Sequence, residues 1–340
     1  LTFLRRSAGL PHAVIAVLSA ERHGASGGKL FTACMSEALR AAGNESPTTW
    51  MQRVHALNLL RMIFLDSAFV LLVMPHAGMG FLLALRALSC QDSWAVRNSG
   101  TLLFAALLER VLRQRRVKEE SSDTSCDDVN GIGARAFFAR APELRSFLLS
   151  ALHPTLETKS VLATYPILLL MSRLVPSPSS DPTEDELLES FVPLVRSYAS
   201  SRELRVRTVA ASALVPLIAP PALPAFLLDL ATELRMVASH NRAHGLLLQL
   251  RALVVHASSS LERESIGHLV EALEPSLARL AHPCNTVRAA LAHLLTMLAP
   301  LAPPFKLSRV YESVQSAVST TSSVTGLDAS LYRTELHRLE

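Results

Sequence analysis

The side chains that could do chemistry here are mostly histidines and arginines. His240 and His244 stand four residues apart, which on a helix puts both imidazoles on one face. No glutamate or third ligand follows at metalloprotease spacing, so a surface or capping pair is expected, and no metal. Asp181, Glu184, Asp185 and Glu186 lie in a Pro/Ser-rich stretch. There they are solvated carboxylates, not a poised acid/base pair. No nucleophile elbow, H-E-x-x-H, phosphate loop or dinucleotide fingerprint joins a strand to a helix. No catalytic residue, cofactor or small-molecule substrate is expected. Cys34, Cys90, Cys126 and Cys284 are widely spaced and form no C-x-x-C pair, which favours a reducing compartment over a disulfide framework.

Binding is the better prospect. Arg5 and Arg6 precede Ser7, Ala8, Gly9, Leu10 and Pro11. The small residues allow close backbone approach, Pro11 starts or kinks a helix, and the two guanidiniums could fork onto phosphate or carboxylate. A packing turn between repeats reads these residues equally well. Arg97, Asn98 and Ser99 form a similar group at a helix start, where Arg97 could instead pair with an acid of the preceding turn such as Asp92. Asn241, His244, Gly245 and Gln249 fall near one another on a helix. They make either a structural network or a contact surface, since buried polar groups must find partners. Arg110, Arg113, Arg115, Arg116 and Lys118 form a basic knot, read as a solvated helix end or as phosphate contacts.

These groups are carried by helices. Of the 340 residues, 49% are hydrophobic and only 5% aromatic, with Leu and Ala dominant, which favours helix over strand. The net charge of +4 permits contact with nucleic acid without arguing for it. Val96, Ser99, Gly100, Leu103, Phe104, Leu107, Leu108, Val111 and Leu112 make one apolar stripe over four turns. Val206 to Ile218 and Val287 to Leu298 make two more, in the same phase. Each opens on Val-Arg, and Arg6, Arg53, Arg97, Arg207, His244 and Arg288 mark helix starts at gaps of 47, 44, 110, 37 and 44 residues; with two repeats and an insertion in the longest gap, the period is roughly 40–47 residues. The expected fold class is all-α, an α-solenoid of HEAT/armadillo-like repeats.

The domain reading runs as follows. Repeats occupy 1–118, and a disordered acidic/Ser insertion 119–135. A further repeat spans 136–175, a linker 176–186 and more repeats 187–312. A loose Ser/Thr-rich tail with a short helix ends the chain at 313–340. Thr183 or Asp185 is a candidate helix cap, and prolines at 220, 221, 224, 300, 303 and 304 are expected to close helices. The apolar run from Ser67 to Leu85 contains Pro75 and is read as two core helices, with no membrane contact. The absence of an initial Met and of a signal peptide suggests a fragment of a longer, cytoplasmic protein.

Six of these segments, taken in order, resemble the central region of the THADA family (thyroid adenoma-associated protein and its relatives). They are Arg5 to Pro11; Val54 to Asn58 with Leu60-Arg61; and Trp94 to Ser99. His153-Pro154 with Tyr165 to Leu170, Val206-Arg207 with Ala210-Ala211, and Asn241 with His244-Gly245 and Leu247 to Gln249 complete the set. The resemblance covers about residues 3 to 250. It implies a large non-catalytic scaffold that partners a ribose 2′-O-methyltransferase catalytic subunit and tRNA, with modification at nucleotide 32 of the anticodon loop. It carries over Arg5, Arg6, Ser7, Ala8, Gly9 and Pro11 as the part supporting methylation. Arg97, Asn98, Ser99, Asn241 and His244 join them as candidate partner or tRNA contacts, with Arg113, Arg115, Arg116 and Lys118 as candidate phosphate contacts. The repeat pattern alone fits a generic protein–protein adaptor with no RNA role equally well.

Overall fold

The computed structural model describes residues 9–22, 28–43, 49–112, 132–153, 161–176, 188–257, 260–320 and 329–339. Among them every regular element is helical. The chain divides into two units, Leu1–Leu174 and Val175–Glu340, and both are built of helical repeats. Arg5 to Ala8, Arg113 to Lys118, Cys126, most of the acidic insertion and the cap candidates Thr183 and Asp185 lie outside the described residues.

In the first unit the sequence runs α1 (Gly9–Arg22), α2 (Lys29–Ala42) and α3 (Trp50–Leu65). It continues through short turns and α4 (Val70–Val73) to α5 (Ala77–Leu88) and α6 (Trp94–Leu112). Polar ties fix the directions. The Glu21 carboxylate near the end of α1 accepts the N–H groups of Leu30 and Phe31 at the start of α2. Arg110 near the end of α6 donates to the carbonyls of Phe64 and Leu65 at the end of α3. So α1, α3 and α6 run parallel in one layer, antiparallel to α2 and α5. Leu57, Leu60, Phe64, Phe81, Leu85, Leu103 and Leu107 fill the space between the layers. The expected α6 stripe is buried at Val96, Ser99, Gly100, Leu103, Phe104, Leu107 and Val111, while Leu108 is half-buried.

Gly100 lets α6 lie close on α5, because a Cβ there would sit 2.7 Å from that of Ala87 and 3.0 Å from the Ala84 carbonyl oxygen. Ser67–Leu88 is long and apolar enough to cross a membrane by length and composition. It is broken by the 3₁₀ turn Met74–His76 around Pro75, and half of its most apolar window is buried in the unit. Three helices follow: α7 (Ala134–Ala139), α8 (Pro142–Leu152) and α9 (Val161–Met171), the last two packing on α5. Helix α7 starts inside the stretch expected to be disordered, because Phe137 and Phe138 are buried, Phe137 edge-on to Phe81.

The second unit contains α10 (Phe191–Ser197), the 3₁₀ turn Tyr198–Ser200, α11 (Leu204–Leu214), α12 (Leu223–Met236) and α13 (His240–Ala257). After these come α14 (Arg263–Leu273), a 3₁₀ segment Glu274–Ala281, α15 (Asn285–Leu298), α16 (Ser308–Thr320) and α17 (Ala329–Leu339). Helices α11, α13, α15 and α17 pack side by side in that order. Pro220, Pro221, Pro224 and Pro304 open their elements rather than close the preceding ones. This follows from the fixed φ of proline and its missing N–H, which cost nothing in a first turn. The Ser/Thr-rich segment expected to be loose is helical as far as Thr320. Val310 and Val314 are buried on one face of α16, and Tyr332 and Leu336 anchor α17.

Candidate nucleic-acid interface

The arginines that marked the repeat share one structural task. Arg53, Arg97, Arg207 and Arg288 each occupy the fourth position of their helix, α3, α6, α11 and α15. Each turns back to carbonyls at, or just beyond, the end of the preceding element. Arg53 Nε donates to Ala42 O at 3.0 Å. Arg97 Nη1 donates to Cys90 O and Gln91 O at 2.9 and 3.0 Å. Arg207 Nη1 donates to Ser201 O at 2.6 Å and Arg202 O at 3.2 Å. Arg288 donates to His282 O and Ala281 O. Carbonyls at a helix end and in the turn that follows it have no helical partner and lie near the negative end of the dipole, so a guanidinium satisfies both demands. The expected partner of Arg97, Asp92, is replaced by these backbone oxygens.

Arg207 does more than clamp. It is buried, its Nε donates to His244 Nδ1 at 3.2 Å, and its Nη1 reaches Asn241 Oδ1 at 3.1 Å. Burial lowers its pKa; a guanidinium so placed stays charged at neutral pH. Asn241 and His244 therefore belong to a structural network, and the buried Gln249 donates separately to the carbonyl of Arg196. Gly245 has a backbone reason to be there, since a Cβ would overlap the backbone of Ala199. Beside this network Glu233 accepts from both Arg196 and Arg242, and Arg242 also donates to Ser200 Oγ.

His240 and His244 do not act together. His244 turns in to Arg207, and His240 turns out to His282, ring nitrogens 3.1 Å apart and rings edge to face. The Cys284 N–H donates to His282 Nδ1 at 3.0 Å. In the neutral ring the proton must then sit on Nε2, from which it donates to His240 Nδ1. The lone pairs a metal would need are thus already used. Among the described residues no group of three His, Cys, Asp or Glu is placed to hold an ion. Burial lowers the His282 pKa, and the His240, Arg279 and Arg288 charges lower it further.

As a candidate surface, the described residues correct the sequence reading. Arg97 spends donors on the fold, Ser99 is buried by its helical phase, and His244 is buried behind Arg207. Asn98 and Asn241 are half-buried. Gly9 begins α1 exposed, and a Cβ on it would meet nothing within 4 Å, so no close backbone approach requires glycine there. Pro11 sits half-buried in the first turn of α1. Among the basic groups that do face outward, Arg202 and Arg205, with His240, gather near the starts of α11 and α13. Sequence reading missed Arg202 and Arg205, and missed Arg110 and Arg279 as clamps on α3 and α12. The recurrence of Val-Arg was the signal for the clamps Arg97, Arg207 and Arg288; nothing in the pattern said whether a guanidinium would turn inward.

Comparison with known proteins gives these helices a family. A domain of the THADA/TRM732 proteins (DUF2428) matches residues 1–95, and the Trm732 C-terminal TPR repeats match residues 97–253. The tRNA (32-2′-O)-methyltransferase regulator THADA of Chlorocebus aethiops is 31% identical over 95% of this chain and 18% of its own length. The mouse protein of that name is 32% identical over 86% of this chain and 16% of its own length. The regulator trm732 of Schizosaccharomyces pombe is 27% identical over 65% of this chain and 15% of its own length. The chain thus spans under a fifth of the curated relatives it matches. With two models of one family in tandem and relatives matched along most of its length, the chain belongs to the THADA/Trm732 family.

Proposed function

We propose that this chain is part of a non-catalytic, cytoplasmic regulator that partners a ribose 2′-O-methyltransferase acting on nucleotide 32 of tRNA. The observation that carries this reading is the similarity along 95% of the chain to relatives bearing that name. Physical considerations support it. Stacked helix pairs give an extended surface on which a small enzyme and a folded RNA can both be held. RNA is held there through phosphates and shape, with a splayed loop nucleotide handed to the enzyme. Arg5 and Arg6 remain the proposed contact at the enzyme–tRNA junction, with Arg113, Arg115, Arg116 and Lys118 as proposed phosphate contacts.

The test is complementation. Cells lacking the regulator are supplied with the full-length protein, wild type or Arg5→Ala/Arg6→Ala, and 2′-O-methylation at nucleotide 32 is measured. Restoration by the wild type and loss in the double variant are expected. No restoration by the wild type would refute the function, and restoration by both would refute the role of the two arginines. An adaptor with no RNA role is the second reading. It is favoured by the inward commitment of Arg97 and His244, and it predicts co-purification with proteins but no tRNA.

A further inference from the structure

The sequence contains two tryptophans, Trp50 and Trp94. They are the first residues of α3 and α6, three positions before the clamping Arg53 and Arg97. Helices α3 and α6 pack directly on one another, and the Arg110 tie at their far ends makes them parallel. Both tryptophans therefore stand on one edge of the first unit, one repeat apart. Both are in solvent, Trp50 with 50% and Trp94 with 71% of its surface accessible. Indole is among the costliest groups to leave in water, and tryptophan is ordinarily well buried. The fold does not demand it at this position: Leu204 and Asn285 fill the same place on α11 and α15. The surroundings suit an anion beside an aromatic face. Neither helix carries an acid in its first turn, so no carboxylate opposes the positive ends of the dipoles, although Thr49 Oγ1 and Ser93 Oγ each cap one N–H, those of Gln52 and Val96. Thr49, Gln52, Ser93 and Asn98 add neutral polar groups, and Asp92 is the one acid adjoining Trp94 in sequence.

We propose that Trp50 and Trp94 form a stacking platform for unpaired bases of RNA, the strand's phosphates lying toward the N-termini of α3 and α6. The proposal rests on the RNA reading given above and adds a site to it. Packed helices lie about 8–10 Å apart, so the two indoles would engage different bases of one splayed strand. A stacked base contributes about 1–3 kcal/mol whatever its identity, so each indole is expected to matter roughly tenfold or more in affinity.

Because the chain has only these two tryptophans, its intrinsic fluorescence reports on the platform itself. The 340-residue chain is titrated with a single-stranded oligoribonucleotide and with its duplex, following tryptophan emission and the anisotropy of labelled RNA. Quenching by the single strand, less by the duplex, is expected. Trp50→Ala and Trp94→Ala should each weaken single-strand binding about tenfold, with Trp→Phe recovering part of the loss and circular dichroism unchanged. RNA binding with unaltered emission and unaltered affinity in both alanine variants would overturn the platform and leave the RNA reading standing. No RNA binding by the chain would overturn both. Emission that responds to a purified methyltransferase and not to RNA would assign the pair to a protein interface and overturn the proposal.

Discussion

In the first unit, Arg97 reaches back from α6 to two carbonyls and goes no further, and Trp94 beside it stays in solvent. In the second, Arg207 makes the same reach and continues to His244 and Asn241 of the next repeat, while His240 continues to His282 of the one after. The shared part of the device joins the two helices of a repeat. The added part joins one repeat to its neighbour. In the first unit the equivalent tie between repeats, Arg110 to Phe64 and Leu65, lies at the opposite ends of the helices. Among the described residues one edge of the first unit is thereby left without such ties and presents aromatic side chains, whereas the corresponding edge of the second is cross-linked by polar side chains.

The most forceful way to break the comparison is at the glycines. Gly245→Ala would push a methyl into the Ala199 backbone, and Gly100→Ala would push one against the side chain of Ala87 and the backbone of α5. Alanine gains about 1 kcal/mol in helix propensity, but overpacking costs about 1–3 kcal/mol and occasionally more, the most where the neighbour is fixed backbone. Thermal unfolding should show a large loss for Gly245→Ala and a smaller one for Gly100→Ala; equal values would mean the two helix contacts are equally tight. Next come the clamps. Arg207→Met removes bonds within and between repeats and should destabilise by roughly 2–4 kcal/mol, against roughly 1–2 for Arg97→Met. Denaturant titration of both variants decides, and the same loss in each would deny that the extra bonds of Arg207 matter.

The histidine pair sharpens the contrast further. The folded-state pKa of His282 lies below its ordinary value. An unfolded chain therefore takes up the proton more readily, and stability is full above about pH 6.5 and falls as pH drops below it. His282→Asn should flatten the acid side of a melting-temperature profile; an unchanged slope would show that the pair is not what titrates. The smallest effect is expected at the exposed Arg40–Glu37 pair of the first unit, where Arg40→Ala should leave the melting temperature unmoved. A shift there would mean that surface charge, and not the clamp, distinguishes the units.

How much of this could be read in the sequence follows from what each signal encodes. Periodicity reports burial, so the stripes at Val96 and Val206 found their helices, and Ser99 and Gly100 on the buried face foretold the close approach of α6 to α5. Val-Arg marked the fourth position of α6, α11 and α15 but not the partner, because a backbone carbonyl leaves no trace in residue identity. Asp92 was the natural acid to expect and is not used. His240 and His244 share a helix face in sequence, yet their partners come from repeats about 40 residues away, which no local pattern reveals. The tail was misread because serine and threonine hide a two-valine stripe, Val310 and Val314, that is enough to hold α16.

A clamp that grips backbone oxygen makes no demand on the side chain of the residue it grips. Cys90, Gln91, Ser201 and Arg202 each offer a carbonyl to an arginine, and any amino acid offers the same one. The loops between helices can therefore be rewritten residue by residue without loosening the array. A single scaffold can in this way acquire different surfaces along its edges, an aromatic one around Trp50 and Trp94 and a basic one around Arg202, while its architecture stays fixed.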